Sequence, residues 1–440
     1  MKISDSGAGD AAKPRDAAVA VDGTYCVVYD CEKGTPGSVW RYSHDGIWTD
    51  ITPVGNEGGK DKRYWAIAVD PFEPSHVVIM IHGGKTFVSN DRGASWSYHF
   101  FRLESANIKW LGTQTNYVLS TGQLAFDPFD KGRIWYAQGF GVWWTRDLDS
   151  VRIPWQAASE GIEEVCGNDV VAPPGGKPVA SMWDVGVFRF DDVNAYTAQR
   201  SHPGFMSAWA IDWCPKDPKF LAAVFRSHLD FVPKANSSGF STDGGTAWTR
   251  FQALEDGTTP KELEYGVIAV AANNPDHIVR APAGNMLPYY TADRGVTWKQ
   301  SSFGGPTETG FNSFPMSQKQ LCADRVDPDA FYFYTPQDGL FRSTDGGATF
   351  AKVGNPSPNK WGAILKSTPG AARISGSRRA RAAGCGIRPT AVLPGRRCPA
   401  LNSPLMSASA RRSQREAIPP STRPEPWLSR PAFIVPSTRA

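Results

Sequence analysis

Short apolar strands separated by Asp-Pro or Asn-Pro turns dominate the first 370 residues. Alternating apolar positions run into such a turn and resume after it at five places: Asp70-Pro71, Asp127-Pro128, Asp217-Pro218, Asn274-Pro275 and Asp327-Pro328. Alternation with a period of two is typical of β-strands that bury one face. The pattern therefore predicts pairs of strands joined by tight turns.

An eight-residue motif of the form Ser/Thr-x-Asp-x-Gly-x-x-Trp/Phe, an Asp box, recurs between these strand pairs. Its four clean copies are residues 89–96, 241–248, 291–298 and 343–350. The Asp carboxylate can accept backbone N–H bonds across a hairpin, and Gly supplies the positive φ that such a turn needs. The motif predicts a structural role for four carboxylates: Asp91, Asp243, Asp293 and Asp345.

Each repeat unit combines a strand, an Asp-Pro turn, two strands, an Asp-box hairpin and a last strand. Four short strands in about 45–55 residues match one blade of a β-propeller. About seven such units, some degraded, fit between residues 20 and 370. The predicted fold class is all-β, a β-propeller whose blades carry Asp-box hairpins.

Composition excludes several other classes of protein. The chain has 440 residues, of which 41% are hydrophobic and 12% aromatic, which is ample for a sizeable core and unlike collagen or a coiled coil. No apolar run approaches the ~20 residues of a membrane helix, so no membrane partner is expected. Seven scattered Cys and seven His, without a P-loop or a His-Glu-x-x-His motif, predict neither a metal site nor a cofactor.

The last 70 residues differ abruptly from the rest. Residues 371–440 contain 13 Arg, 2 Glu and no Lys or Asp, a net charge of +11, whereas residues 1–370 carry a net charge of −7. The acidic first part gives no reason to expect nucleic acid binding. We expect disorder in residues 1–19 and 371–440. Because the change interrupts a repeat unit, we favour a frameshift as the origin of residues 371–440. The alternatives are a basic arm that binds nucleic acid or anionic surfaces and a disordered tail without a function.

The stretch between the second and third Asp-Pro turns resembles glycoside hydrolase family 74. Residues 161–164 read Gly-Ile-Glu-Glu, residues 168–176 contain a Pro-Pro turn, and residues 184–192 read Asp-Val-Gly-Val-Phe-Arg-Phe-Asp-Asp. The family pattern has these segments in the same order. Stretches at 38–53 and 125–130 are also similar, so the resemblance covers about residues 20–370. It implies a xyloglucanase or a related endo-glucanase.

The resemblance also implies an architecture of two tandem seven-bladed propellers with the glucan in the cleft between them. Residues 20–160 would then be the last blades of the first propeller, and residues 161–370 blades of the second. Each propeller supplies one catalytic Asp, and hydrolysis inverts the anomeric centre. Asp184 matches the second-propeller position, whereas the first-propeller Asp would fall upstream of residue 1.

Asp184 is therefore the candidate catalytic residue. Inversion needs one carboxylic acid that protonates the leaving oxygen and a carboxylate about 6.5–9.5 Å away that activates water. Val187 and Phe190 depart from the family's Gly and His at these positions. A structural carboxylate in a degraded Asp-box turn is the alternative interpretation. Four nearby acids are candidate partners, although loop charges are the simpler hypothesis: Glu163, Glu164, Asp191 and Asp192.

Sixteen Trp residues suit a sugar-binding cleft, because flat aromatic faces stack on pyranose rings. The candidates for substrate binding are Trp143, Trp144 and Trp183, with blade packing as the alternative for each. The expected partner is a xyloglucan-like polysaccharide or oligosaccharide, and the expected oligomeric state is a monomer. The family implies an extracellular or periplasmic location, although the N-terminus carries no signal sequence.

Two other functions are open at this point. A non-catalytic Asp-box propeller that binds glycan or protein would explain the missing first-propeller acid. An inactive fragment of a hydrolase is a separate hypothesis that the same absence leaves open. A sialidase-like exo-glycosidase is the second alternative, since residues 151–154 read Val-Arg-Ile-Pro. That signature belongs before the first Asp box, however, and here it follows one.

Overall fold

The computed structural model describes residues 13–31, 34–55, 57–112, 120–163, 165–197, 200–201, 207–225, 238–252, 266–282, 286–306, 319–354, 363–367 and 374–378. All of these lie in one compact unit, Met1–Ala391. Strands make up nearly all regular structure in this described part, whose one helix is the single turn α1 (Lys109–Gly112). The all-β prediction is confirmed.

The first three blades are antiparallel meanders of four strands in chain order. Blade 1 consists of β1 (Pro14–Val19), β2 (Tyr25–Tyr29), β3 (Ser38–Tyr42) and β4 (Trp48–Asp50). Blade 2 consists of β5 (Tyr64–Val69), β6 (Val77–Ile81), β7 (Thr86–Ser89) and β8 (Ser97–Glu104). Blade 3 consists of β9 (Thr121–Phe126), β10 (Ile134–Gln138), β11 (Gly141–Thr145) and β12 (Arg152–Ala157). Parallel pairing of β8 with β12 joins blades 2 and 3 into one eight-stranded sheet.

Four further blades and a hairpin follow. Blade 4 has the three strands β13 (Gly167–Val171), β14 (Val179–Met182) and β15 (Gly186–Arg189). Blade 5 has β16 (Ala210–Cys214), β17 (Asp217–Val224), β18 (Gly239–Ser241) and β19 (Thr249–Arg250). Blade 6 has β20 (Val267–Val270), β21 (Ile278–Ala281), β22 (Tyr289–Thr291) and β23 (Lys299–Gln300).

The last blade receives a strand from the segment that precedes it. Blade 7 has β24 (Ser302–Phe303), which pairs in parallel with β28, followed by β25 (Leu321–Ala323), β26 (Phe331–Thr335), β27 (Gly339–Ser343) and β28 (Thr349–Gly354). The final hairpin is β29 (Ala363–Ser367) with β30 (Ile374–Arg378). The strand order within each sheet matches the repeat unit predicted from the sequence.

The first strands of successive blades contact one another and form two arcs. In the first arc, β1 contacts β5 and β5 contacts β9. In the second arc, contacts run in order through β13, β16, β20, β25 and β29. We call these strands the inner strands, β1–β12 the first arc and β13–β30 the second arc. The change between arcs falls in the connection from Ala157 to Gly167, which contains the boundary predicted at residue 160.

The Asp-box hairpins join each blade to the one before it. In every clean box the Ser or Thr hydroxyl donates to the Asp carboxylate, which accepts the backbone N–H four residues after the Asp, as in Asp293 with Thr297 N–H at 2.8 Å. The box Gly then presses on the preceding blade. A Cβ on Gly347 would lie 2.2 Å from Val279, and one on Gly295 would lie 2.3 Å from Phe251. Only Gly allows this approach.

The two arcs share part of their hydrophobic core. Trp143 and Phe140 of blade 3 pack in one cluster with Val185 and Phe188, which belong to blade 4 and the turn before β15. The ring of Trp110 in α1 bridges them, with its centroid 5.3 Å from that of Phe188. Burial of this cluster therefore holds the turn between β14 and β15 against the first arc.

Two predicted disordered segments contain strands. Residues 1–19 include β1, whose Asp16 carboxylate accepts the backbone N–H of Ile67 at 3.1 Å, and Arg15 stacks 3.6 Å above the ring of Trp65. Residues 371–440 include β30, which pairs with β29 along its whole length. Cross-strand pairing orders both segments although neither has a strong apolar alternation. Residues 1–12 and 379–440 lie outside the described residues.

Candidate functional site

Asp184 occupies a strained turn between β14 and β15. Its φ is +66°, and the N–H of Val185 donates to the carbonyl of Trp183 at 2.8 Å, which makes Asp184 the central residue of a γ-turn with positive φ. Such turns are rare and strained for residues with a side chain. Only 6% of Asp184 is exposed. Strain of this kind persists only where the surroundings enforce it, and it concentrates at functional sites.

The Asp184 turn is not an Asp-box turn. Asp boxes join the third and fourth strands of a blade and lie beside the turn between the first and second strands, as the N–H of Arg92 bonded to the carbonyl of Ser75 shows. Asp184 lies between the second and third strands, at the other end of the sheet. Its position therefore separates it from the structural carboxylates Asp91, Asp243, Asp293 and Asp345.

Hydrogen bonds fix the turn from two sides. The backbone N–H of Asp184 donates to Ser207 Oγ at 3.1 Å, and the N–H of Trp183 donates to the carbonyl of Cys166 at 2.8 Å. The N–H of Ala208 donates to the carbonyl of Met182 at 3.0 Å. The residues around Asp184 are thus held by segments that precede β13 and β16.

The two departures from the family pattern are accommodated by packing. Val187 is fully buried in a cluster with Val179 and Leu221, so the side chain that replaces Gly fills core space in the second arc. Phe190 packs on the cluster shared by the arcs, 6.5 Å from the ring of Phe188. Both substitutions add apolar contacts beside the turn.

The neighbouring acids are engaged at the surface. Glu163 accepts the N–H of Gly161 at 2.8 Å, Asp191 pairs with Arg189 at 2.9 Å, and Asp192 accepts the N–H of Asn194 at 2.9 Å. Glu164 lies outside the described residues. These contacts agree with the loop-charge hypothesis for Glu163, Asp191 and Asp192.

The three candidate Trp residues have different surroundings. Trp143 is completely buried in the core of the first arc, so it has no face for a sugar, and the prediction of a binding role is wrong for it. Trp144 is half-buried, with the guanidinium of Arg133 5.0 Å from its ring. Trp183 is half-buried beside Asp184, and its ring lies 5.0 Å from that of Trp209. Trp144 and Trp183 stay candidates.

The relatives found for this chain carry xyloglucanase names. No protein-family model matches the chain. The chain is 28% identical over 396 residues to a xyloglucanase of Paenibacillus sp. This alignment covers 81% of the chain and 37% of the Paenibacillus protein. The chain is 28% identical over 381 residues to a xyloglucanase of Acetivibrio thermocellus, covering 79% and 42% respectively.

Solved structures agree with these relatives. The GH74 xyloglucanase of Xanthomonas campestris superposes with a TM-score of 0.64 and 23% identity, covering 83% of this chain and 52% of that one. The Niastella koreensis GH74 enzyme gives a TM-score of 0.62 at 23% identity, covering 84% and 52%. The chain resembles xyloglucanases in sequence and glycoside hydrolase family 74 enzymes in fold. Its β-propeller fold, predicted from the repeats, is confirmed.

The chain spans well under two thirds of its curated relatives, at 37% and 42% of their length for the two named above. The relatives carry xyloglucanase names, and the sialidase alternative gains no support from them. Arg152 of the sialidase-like stretch is exposed and stacks on Phe100, with 5.4 Å between the guanidinium carbon and the ring centroid.

The second arc also has a charged axial cavity, which was not predicted from the sequence. Inner strands of the second arc line about 70 Å³ of space. Lys319 reaches the carboxylate of Asp169 at 3.3 Å and the carbonyl of Trp209 at 2.6 Å, and Lys366 lies 3.8 Å from Asp169. Burial lowers the pKa of the Lys319 ammonium, and the Asp169 carboxylate opposes this shift.

A second ion pair lies on the same axis. Arg325 donates to the carboxylate of Asp212 and to the carbonyl of Trp213. Burial disfavours the charged guanidinium, but the Asp212 carboxylate outweighs it and raises the pKa of Arg325. A polar Asp inside the apolar strand Ala210–Cys214 was the one sequence signal of this network.

Neither a metal-binding cluster nor a membrane-spanning helix occurs within the described ranges. No cluster of three His, Cys, Asp or Glu side chains there is arranged to hold a metal ion. Within the same ranges, no helix has the length and apolar character to cross a membrane.

Proposed function

We propose that this chain acts in the hydrolysis of xyloglucan or a related β-1,4-glucan, with Asp184 as one of the two carboxyl groups of an inverting mechanism. The observation that carries the proposal is the γ-turn at Asp184, which holds a nearly buried carboxylate in a strained backbone conformation outside the Asp-box pattern. The xyloglucanase names of the relatives support the substrate class.

The chemistry assigns Asp184 a specific task. In an inverting glycosidase one carboxyl group protonates the leaving oxygen while the other activates a water on the opposite face of the sugar. The indole of Trp183 and the core residue Val185 flank Asp184, and little of the residue reaches solvent. Such surroundings suit the proton donor better than the water-activating base, which needs room for a water. We assign the proton-donor role to Asp184.

The second carboxyl group follows from the proposed architecture. We propose that the first arc and the second arc belong to two separate seven-bladed propellers, and that the glucan lies between them. The separate sequences of inner-strand contacts support this division. In the family each propeller supplies one carboxyl group, so activity of this chain requires that a carboxylate of the first arc serve as the water-activating base.

Substrate location sets the expected compartment. Xyloglucan is an extracellular polymer, so we propose that the chain acts outside the cytoplasm, in the extracellular or periplasmic space, as a monomer. Trp183, next to the carboxyl group in the sequence, is the preferred stacking surface for a pyranose ring.

Release of reducing sugar from xyloglucan and mixed-linkage glucan tests the proposal. We expect wild-type activity to fall by at least about 10³-fold in Asp184→Asn, because the proton donor is lost. Asp149→Asn, which changes an exposed turn, serves as the matched control and should retain activity. Proton NMR of the first product should show the inverted anomer.

Two other outcomes would contradict the proposal. Equal activity of wild type and Asp184→Asn would remove Asp184 from the mechanism. No activity in any variant, with oligosaccharide binding retained by wild type, would favour the non-catalytic propeller that binds glycan.

A further inference from the structure

A second residue with positive φ holds the Asp184 turn. Ser207 has a φ of +40° and no exposed surface. Its Oγ accepts the backbone N–H of Asp184 at 3.1 Å. Two residues with side chains are therefore both in the left-handed region and hydrogen-bonded to each other, although 23 positions separate them. Paired strain of this kind needs a specific reason.

The residue after Ser207 fixes the same turn. The N–H of Ala208 donates to the carbonyl of Met182 at 3.0 Å, and its own carbonyl accepts Nδ2 of Asn168 at 2.7 Å. Residues 207–208 thus form a strap between β13 and the end of β14. The strap leaves the Asp184 backbone few ways to relax as long as the Ser207 hydroxyl is in place.

We propose that Ser207 is a positioning residue that orients the Asp184 carboxyl group for proton transfer. The inference rests on the proposed function of Asp184. Ser207 acts through the backbone: its Oγ satisfies the buried N–H of the γ-turn, and the γ-turn sets the direction of the Asp184 side chain. Without that acceptor the turn would exchange its strained φ for an ordinary one, and the carboxyl group would move.

The same connection provides a matched control. Ser201 Oγ accepts the N–H of Val187 at 2.9 Å, and Ser201 is 2% exposed. Ser201→Ala therefore removes an equivalent buried bond to the same blade, three residues after Asp184. A purely structural role would make Ser201→Ala and Ser207→Ala behave alike.

The experiment compares Ser207→Ala, Ser207→Gly and Ser201→Ala in the full chain. On xyloglucan, we expect both Ser207 variants to lose about tenfold or more in kcat with KM changed less than about twofold, since misplacement of a catalytic group costs rate. Ser201→Ala should lose stability to a similar extent but keep its kcat. Gly suits a positive φ, so Ser207→Gly separates loss of the hydroxyl from backbone strain and is the variant expected to fold if Ser207→Ala does not.

A spectroscopic measurement keeps this inference apart from the proposed function. In protein labelled with ¹³C at Asp Cγ, the signal absent from Asp184→Asn identifies Asp184, and we expect its chemical shift to change in both Ser207 variants but not in Ser201→Ala. An unchanged Asp184 signal and kcat in both Ser207 variants would overturn the inference. Absence of any sugar release by wild type would overturn the proposed function instead, and the Asp184 signal would still report on Ser207.

Discussion

Asp212 on the inner strand β16 accepts the backbone N–H of Val270 on the next inner strand, β20, at 2.8 Å. The first arc repeats the relationship, where Asp16 on β1 accepts the N–H of Ile67 on β5. In both arcs, therefore, an Asp side chain on one inner strand accepts a backbone N–H of the next inner strand, near the propeller axis. In the second arc the same Asp212 carboxylate also holds Arg325.

The first prediction concerns this shared carboxylate. Asp212→Asn keeps an acceptor for the Val270 N–H but leaves Arg325 as a largely buried cation without its counter-charge. Because breaking a buried pair costs more than removing both partners, we expect a loss of about 3 kcal/mol in the free energy of unfolding. Urea denaturation at pH 7 measures it.

The double variant Asp212→Asn with Arg325→Met provides the control, and it should recover part of the loss. A double variant less stable than the sum of the two single changes would contradict the assignment of Asp212 as the counter-charge of Arg325.

The second prediction concerns the pH dependence of the Asp boxes. Burial opposes ionisation of Asp293, but hydrogen bonds from Thr291 and Thr297 outweigh it, so the pKa of Asp293 is lowered. A lowered carboxyl pKa contributes stability above the unfolded value of about 4, and this contribution is lost as the pH falls through the folded pKa. We expect Asp293→Asn to cost about 1 kcal/mol at pH 7 and less at pH 3.

Urea unfolding at the two pH values tests this, with Asp149→Asn at an exposed turn as the control for charge removal alone. A gap between wild type and Asp293→Asn that stayed constant or grew toward pH 3 would be inconsistent with the ionised carboxylate as the turn acceptor.

The strands and boxes were predictable because their determinants are local. Period-two alternation marks a strand within five or six residues, and an Asp box places donor, acceptor and Gly within eight. β1 escaped notice because Pro14–Val19 has exposed or half-buried residues at every position. Its order comes from β2 and from Ile67, which the sequence pattern of the strand does not reveal.

For the candidate site, the sequence offered one catalytic residue, whose role stays a prediction. A family motif pointed to Asp184, yet the backbone N–H of its γ-turn bonds to Ser207, 23 residues away. The axial ion pairs join residues still more distant, since Asp212 and Arg325 are separated by 113 positions. Pairings of this range are set by how blades pack around the axis, and a single sequence carries little trace of them. Trp143 failed as a binding candidate for a related reason, because alternation identifies a strand but not which face is covered.

The third prediction concerns the Gly pair in the last box. Gly346 and Gly347 both have positive φ, but their surroundings differ. A Cβ on Gly347 would lie 2.2 Å from Val279 in the preceding blade, whereas the nearest atom to one on Gly346 is 3.5 Å away. We expect Gly347→Ala to cost about 2–5 kcal/mol through strain and overpacking, and Gly346→Ala about 1 kcal/mol.

Thermal unfolding followed by circular dichroism compares the two variants directly. Arg92 and Arg294 occupy the position of Gly346 in their own boxes, with φ values of 62° and 57°, which is why the first position should tolerate a side chain. Equal stability of the two variants would mean that blade 7 shifts away from blade 6 at little cost.

The last prediction separates the two Trp candidates that keep exposed surface. The guanidinium of Arg133 lies over one face of the Trp144 ring and covers it. Trp183 lies directly before Asp184 in the strained turn. In an Asp184→Asn background, which allows binding without cleavage, we expect Trp183→Ala to weaken xyloglucan oligosaccharide binding by about tenfold and Trp144→Ala by less than about twofold, because stacking on a sugar needs an uncovered face. Isothermal titration calorimetry measures both, with Trp143→Phe as a core change that should lower stability and leave affinity unaltered. The reverse order of losses would move the proposed sugar contact from the Asp184 turn to blade 3, and with it the side of the cleft on which the glucan is held.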